Sequence, residues 1–311
     1  MNRALPWIAA LLLALLPAVL TPYTTDLVVK ILIFAVFALS LELLVGMTGL
    51  VSLGHAAFFG LGAYVTVMLS PEADPGNLVL LAGAAMGVAA LYALFVGALS
   101  LRTKGVYFIM VTLAFAQMAY FVFHDTKLGG GSDGIYLNVR PVLGGLDGGN
   151  KGHFYYLVLL LLVACYGGLA LLRRSRFGHA LAGIRVNEQR MRAAGFATYR
   201  YKLAAFVIAG AMAGLAGFLL AVKDGFVNPE LLSWHESGAV LLMIILGGLG
   251  HLRGAVIGAA AFALLKEAYS TPGIVGSFLA DHWQLTLGLT IIAFVALLPK
   301  GLIGIVERFR P

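Results

Sequence analysis

Two glycine clusters, each running into a histidine, are the parts of this sequence whose residue types and spacing suggest chemistry: Gly46, Gly49 and Gly54 before His55, and Gly247, Gly248 and Gly250 before His251. Both interrupt apolar runs. A helix that stops inside a hydrocarbon layer leaves backbone N–H and C=O groups unpaired, which is tolerable only where protein, water or a passing solute satisfies them. A zwitterion suits such a place, its carboxylate at an N-terminal helix end and its ammonium at free carbonyls. Interruptions at corresponding places in two halves of a chain point to a solute pathway. The same glycines also serve as turns at a membrane surface, and both readings stand. Glu42 adds an ionisable group well inside an apolar run, where isolating a charge is costly. It could line the pathway, contact a cation, or hydrogen-bond and snorkel near a helix end; His55 is a candidate partner, or a packing residue. Paired carboxylates, metal-ligand clusters and nucleophile–base arrangements are missing from the apolar runs, so no catalytic residue and no metal site is assigned.

The elements that must position these groups follow from composition. Of 311 residues, 61% are hydrophobic and only 11% charged, more apolar surface than one soluble core buries. A hydrocarbon layer roughly 30 Å thick takes about 20 apolar residues per helix. Such stretches recur at Leu5 to Leu20, Leu27 to Gly46, Leu50 to Leu69, Leu78 to Leu101, Val106 to Phe123, Phe154 to Leu172, Leu203 to Val222, Ser237 to Gly250, Gly254 to Ala268 and Trp283 to Pro299. The reading is an all-α, polytopic membrane bundle forming one domain over residues 1–311, with about ten spans and a range of roughly eight to eleven. The third, eighth and ninth segments are short or glycine-broken and could be half-helices that enter and return. Arg3 followed by Leu5 to Leu20 imitates a signal peptide, but the spans that follow favour an uncleaved first helix. GxxxG pairs at Gly83/Gly87, Gly210/Gly214 and Gly254/Gly258 allow close helix contacts, within the bundle or with a partner. The single cysteine, Cys165, excludes a disulfide within the chain.

Net charge is +7, yet the basic residues flank apolar runs rather than forming a nucleic-acid-binding domain. With both termini cytoplasmic, Arg3, Arg102, Lys104, the basic residues of 173–202, Arg253, Lys300, Arg308 and Arg310 share the inner side, 15 of the 21 Lys and Arg residues. Residues 124–153 then form an external loop containing Gly129 to Gly134, a flexible linker or a docking site. No lysine follows a glycine, so the GxxxxGK[ST] nucleotide motif is absent and the chain itself binds no cofactor. The cytoplasmic loop 173–202 is helix-compatible from Ala180 to Ala194, with Gly195 as a stop. Its Arg185, Arg190 and Arg192, with Glu188 among them, suit either a groove on a soluble motor or anionic lipid headgroups.

Several ordered blocks resemble a known family. They are Leu43-Leu44-Val45-Gly46, Gly49 through Gly60 to Tyr64, Gly105-Val106-Tyr107-Phe108, Val111 to Phe115, Gly130 to Gly134, Ser175-Arg176-Phe177-Gly178, Ile184-Arg185 with Asn187-Glu188, Gly195, Tyr201-Lys202-Leu203, Asn228-Pro229-Glu230, Ser233-Trp234-His235 and Leu246 to Gly250. Together they resemble the permeases of branched-chain amino acid ABC transporters, of the M-subunit type found in high-affinity leucine, isoleucine and valine systems. The resemblance implies an importer subunit in the bacterial inner membrane, with a pore shared with a homologous second permease. It also implies two cytoplasmic subunits that hydrolyse ATP and a periplasmic or extracellular amino-acid-binding protein. It assigns Arg185, Asn187, Glu188, Arg192 and Gly195 to a coupling helix and Ser132, Asp133 and Gly134 to binding-protein docking. Ser52, Phe58, Thr112 and Gln117 join Glu42, His55 and the glycines as pathway candidates. Glu42 stands where the family usually has Asn, so Asn is expected to be tolerated there. Gln117 replaces a common acid, and Arg253-Gly254-Ala255 a usual Trp-Gly-Pro. These departures leave open related cargoes such as urea, short amides or other amino acids; a stand-alone secondary transporter is the alternative from another class.

Overall fold

A computed structural model describes residues 13–18, 20–143, 146–147, 149–271, 281–298 and 300–308. Most of the predicted first segment (residues 5–12 and 19), Arg3, Pro299 and Arg310 lie outside them. Helix α1 (Pro22–Glu42) runs directly into a π-helical turn, Leu43–Thr48. There follow α2 (His55–Leu69), α3 (Leu78–Ser100), α4 (Val106–Asp125), α5 (Lys151–Arg174), α6 (Arg176–Val186), α7 (Glu188–Ala193), α8 (Thr198–Asp224), α9 (Trp234–Gly247), α10 (Leu252–Ser270), α11 (Trp283–Leu297) and α12 (Gly301–Arg308). Side-chain oxygens start several of them: Asn77 Oδ1 accepts from Val79 N at 3.0 Å and Asn150 Oδ1 from Gly152 N at 3.0 Å.

Among the described residues six helices are long and apolar enough to cross a membrane: Pro22–Thr48, Leu78–Ser100, Val106–Asp125, Lys151–Arg174, Thr198–Asp224 and Trp283–Gly304. A seventh span arises if α9 and α10, bent by 116° at their junction, count as one. The chain is thus a polytopic helical membrane protein. The rest of the predicted ten are α2, short at 15 residues, the separate arms of the bent pair, and the first segment.

Helices α1 and α8 are mostly buried and form the centre, with α8 packed on α1, α2 and α3. Small residues allow the approach. An added Cβ at Gly210 or Gly214 would press on Ala93 or Ala89 of α3, and one at Gly217 would overlap the carbonyl of Phe59 in α2. Gly254 and Gly258 pack in the same way against α9 around Gly247. Two of the three GxxxG pairs are therefore internal, whereas Gly83 and Gly87 face outward with nothing near them. Leu80, Leu91 and Phe95 of α3, Leu160 of α5 and Ile292 of α11 are exposed, the apolar surface that lipid would cover.

The two ends differ in charge. The Tyr199 hydroxyl donates to Ala98 O at 2.9 Å, placing Arg102 and Lys104 at the same end as the basic segment 173–202. At the opposite end lie β1 (Ile135–Tyr136), β2 (Val142–Leu143), β3 (Leu146–Asp147) and β4 (Phe226–Val227). Antiparallel pairing of Ile135 with Val227 and Tyr136 with Phe226 fastens the loop to the end of α8, while β2 pairs with β3.

Candidate functional site

The two glycine clusters meet at the basic end. Glu42, the last residue of α1, is 1% exposed, and its Oε2 has no hydrogen-bond partner among the described residues. The backbone N–H groups of Gly250 and His251 and the guanidinium groups of Arg185 and Arg173 face its carboxyl. Neither arginine forms a direct ion pair with it. Arg185 Nη1 instead donates to the carbonyl of Gly46, and Arg173 Nη1 to that of Gly250 at 3.4 Å. A Cβ at Gly46 would run into the Glu42 carboxyl, and Gly49 takes the left-handed conformation (φ 74°) beside the Arg185 side chain. Arg185 thus holds the first break and Arg173 the second, and the glycines provide the room.

A second cluster lies inside the bundle. Residues 49–54 enter it without helical structure, so α2 begins at His55, fully buried. Ser40 Oγ donates to Phe37 O at 2.6 Å; its one proton is then used, so the 2.8 Å contact with His55 is an Nε2–H donating to Ser40. That leaves His55 Nδ1 as an unpartnered acceptor. The ring stacks on Phe37 and meets the edge of Phe58, each at 5.6 Å. Ser237 of α9 accepts from Ala56 N at 2.8 Å, and Ser52 Oγ from Gly54 N at 3.3 Å. Gly54 abuts the carbonyl of Thr112 in α4. Three helices, α1, α4 and α9, thereby converge on the buried start of α2, whose N–H groups present the positive end of the helix dipole.

Not every pathway candidate belongs to these clusters. Phe58 is a core ring packed edge-on against Phe206 and Tyr92 at 5.5 and 5.9 Å. Gln117 is half-buried farther along α4. Gly247 allows α9 to approach α10, and Gly248 packs on Lys300 and Gly301. Beside Gly248 a cavity of about 330 Å³ opens between Leu249, His251, Val295 and Leu298.

The basic segment corrects one expectation. The single helix expected from Ala180 to Ala194 breaks at Asn187, whose extended backbone (φ −157°, ψ 98°) ends α6 and whose Oδ1 accepts from Arg190 N at 2.9 Å to start α7. Glu188 then receives Lys202 Nζ at 2.9 Å, Arg192 Nη2 at 2.5 Å and the Thr198 hydroxyl at 3.1 Å. Burial alone would raise the pKa of this carboxyl; Lys202, Arg192 and Thr198 outweigh it and hold it down at about 2. Gly195 (φ 86°) closes the turn. Arg185 and Glu188 are therefore engaged within the chain, while Val186, 86% exposed, Arg190 and Phe196 face outward.

At the far end Ser132 and Asp133 are exposed on a short turn, with Ser132 Oγ donating to Asp133 Oδ1 at 3.3 Å. Gly134 (φ 72°) lies against the carbonyl of Val227. Ser40, Arg173 and Ser237 were not singled out from sequence. The signal for the two serines was a hydroxyl within an apolar run; for Arg173 there was none beyond its charge.

The family model described as "Branched-chain amino acid transport system / permease component" matches residues 23–296. The chain is 30% identical to the high-affinity branched-chain amino acid transport system permease protein LivM of Escherichia coli K12, over 95% of this chain and 74% of that protein. It is 24% identical to LivH of the same strain, over 87% and 91%. The xylose transport system permease protein XylH of that strain is 34% identical, over only 36% of this chain and 30% of its own length. No solved structure matches.

Proposed function

Since the chain belongs to the family of branched-chain amino acid transport permeases, we propose that it forms one half of an inner-membrane pore whose other half is a second, homologous permease. The chain is a permease subunit of an ABC importer for branched-chain amino acids, a transporter component rather than an enzyme. On our reading the basic end faces the cytoplasm, in keeping with the bias of basic residues toward that side. Two ATP-hydrolysing subunits grip that end. An external amino-acid-binding protein docks at the opposite end, where Ser132 and Asp133 are exposed on a loop fastened to α8.

The observation that carries the coupling is the fixed seat of α7. Glu188 ties it to Lys202 at the start of the central helix α8, leaving Val186, Arg190 and Phe196 outward for a motor. A push on α7 then reaches the bundle core through α8. The buried start of α2, with His55, Ser40, Ser52, Thr112 and Ser237 around it, is the segment of the pathway suited to a zwitterion's carboxylate. Aliphatic side chains need only an apolar wall, such as the Phe37 ring stacked on His55.

The test is to purify the chain with its companion subunits in proteoliposomes and measure which solute stimulates ATP turnover and uptake through the binding protein. Leucine, isoleucine and valine are expected to do so. Stimulation by urea, amides or other amino acids alone would reassign the cargo. Concentrative uptake by the isolated chain without nucleotide would overturn the importer reading.

A further inference from the structure

The cluster at the basic end carries an inference about residues that neither touch a motor nor lie at the buried start of α2. Arg185 belongs to α6, the last helix before α7, yet its guanidinium is bonded to the carbonyl of Gly46 in the π-helical turn and lies near Gly250, while its aliphatic stem runs beside Gly49. Arg173, at the end of α5, holds the carbonyl of Gly250 at 3.4 Å. Carbonyls at such breaks lack the helical partner that would otherwise occupy them, so two guanidinium groups satisfy acceptors that an open helix end leaves bare. Between them Glu42 is 1% exposed with Oε2 unpartnered. A carboxyl in that position favours keeping both arginines near the breaks, since withdrawing them would leave the acid buried without a counter-charge.

We propose that Arg185, Arg173 and Glu42 form a latch that holds the two glycine breaks together and keeps the basic-end mouth closed, with Arg185 as the positioning residue through which movement of α6 releases it. The inference rests on the permease reading but not on which solute is carried. Release begins when Arg185 leaves Gly46, which frees the π-helical turn from α6. Because α6 leads directly into α7 at Asn187, a displacement of α7 reaches this bond through α6, alongside the route through Glu188 and Lys202 to α8.

The experiment uses the assembled complex in proteoliposomes with Cys165→Ala and Thr48→Cys. Thr48 is buried in the π-helical turn, so a thiol there reports opening. A membrane-impermeant maleimide is applied from the basic side without nucleotide. Arg185→Ala is expected to speed labelling roughly tenfold, the equilibrium shift that loss of one charge-assisted hydrogen bond produces. Arg185→Lys, which can still donate to Gly46, should restore slow labelling. Glu42→Asn should also label faster, because the counter-charge that keeps the two arginines at the breaks is gone. Equal labelling of the parent and Arg185→Ala complexes would overturn the latch. Should Arg185→Ala fail to assemble, Glu42→Asn decides, and unchanged labelling there would overturn it too. Failure of the importer reading would show instead as an absence of solute-stimulated ATP turnover in the parent complex, which labelling does not measure.

Discussion

Lys202 Nζ and Glu188 Oε1 stand 2.9 Å apart across the junction of α7 and α8, and Glu188 also holds Arg192 and Thr198. Glu188→Gln is expected to loosen α7 without affecting membrane insertion, with amide exchange over residues 187–196 faster by roughly fivefold, the scale of a partly exposed charge network. Uptake by the assembled complex should fall while membrane yield holds. Unchanged exchange over 187–196 would remove Glu188 from this role.

The same carboxyl sets a pH dependence. Its folded pKa is depressed from 4.5 to about 2, so its contribution is fully present above 4.5 and is lost as pH falls through the window down to about 2. Exchange protection of 187–196 should decline across that window in the parent protein and show no such step in Glu188→Gln.

Glycines separate into those that are filled against and those that are not. Gly217→Ala places a methyl on the Phe59 carbonyl and should cost about 1–3 kcal/mol or prevent folding. Gly83→Ala and Gly87→Ala meet nothing and should be neutral or stabilising by up to about 1 kcal/mol, since alanine is the better helix former. Thermal unfolding in detergent ranks the three. A marked loss at Gly83 or Gly87 in the assembled complex alone would instead locate a partner on that face of α3.

Ser237→Ala removes the acceptor for Ala56 N inside the bundle and leaves a buried N–H unpaired, a loss of about 1–3 kcal/mol. A melting temperature equal to the parent's would mean that Ser237 is not the group satisfying that end of α2.

The outward patch gives a test of docking. Arg190→Glu together with Val186→Asp should abolish co-purification of the ATP-hydrolysing subunits while leaving the chain in the membrane, because both side chains face away from the bundle. Retention of those subunits would move the motor site elsewhere.

Hydrophobic runs and glycine interruptions made the helical membrane class and both helix breaks readable from the chain, because each is a local property. The meeting of those breaks was not readable. Arg185 on Gly46 and Arg173 on Gly250 are long-range hydrogen bonds whose partners carry no matching pattern. Asn187 shows a different limit: it had the signature of an N-cap followed by an acid, but the surrounding helix-compatible residues suggested continuity. Apolar length alone does not distinguish a crossing from an arm such as α9, 14 residues long, that turns by 116° into α10, which is why the eighth and ninth segments were readable only as possible half-helices.

Helix α8 is 27 residues long, about 40 Å at 1.5 Å per residue, and has no break along that length. One tip is stapled to the strand pair at Phe226–Val227 and the other is clamped through Lys202. It therefore behaves as a strut with no joint: load applied by a partner seated at either tip has nowhere to dissipate midway and must emerge as a tilt of the far tip.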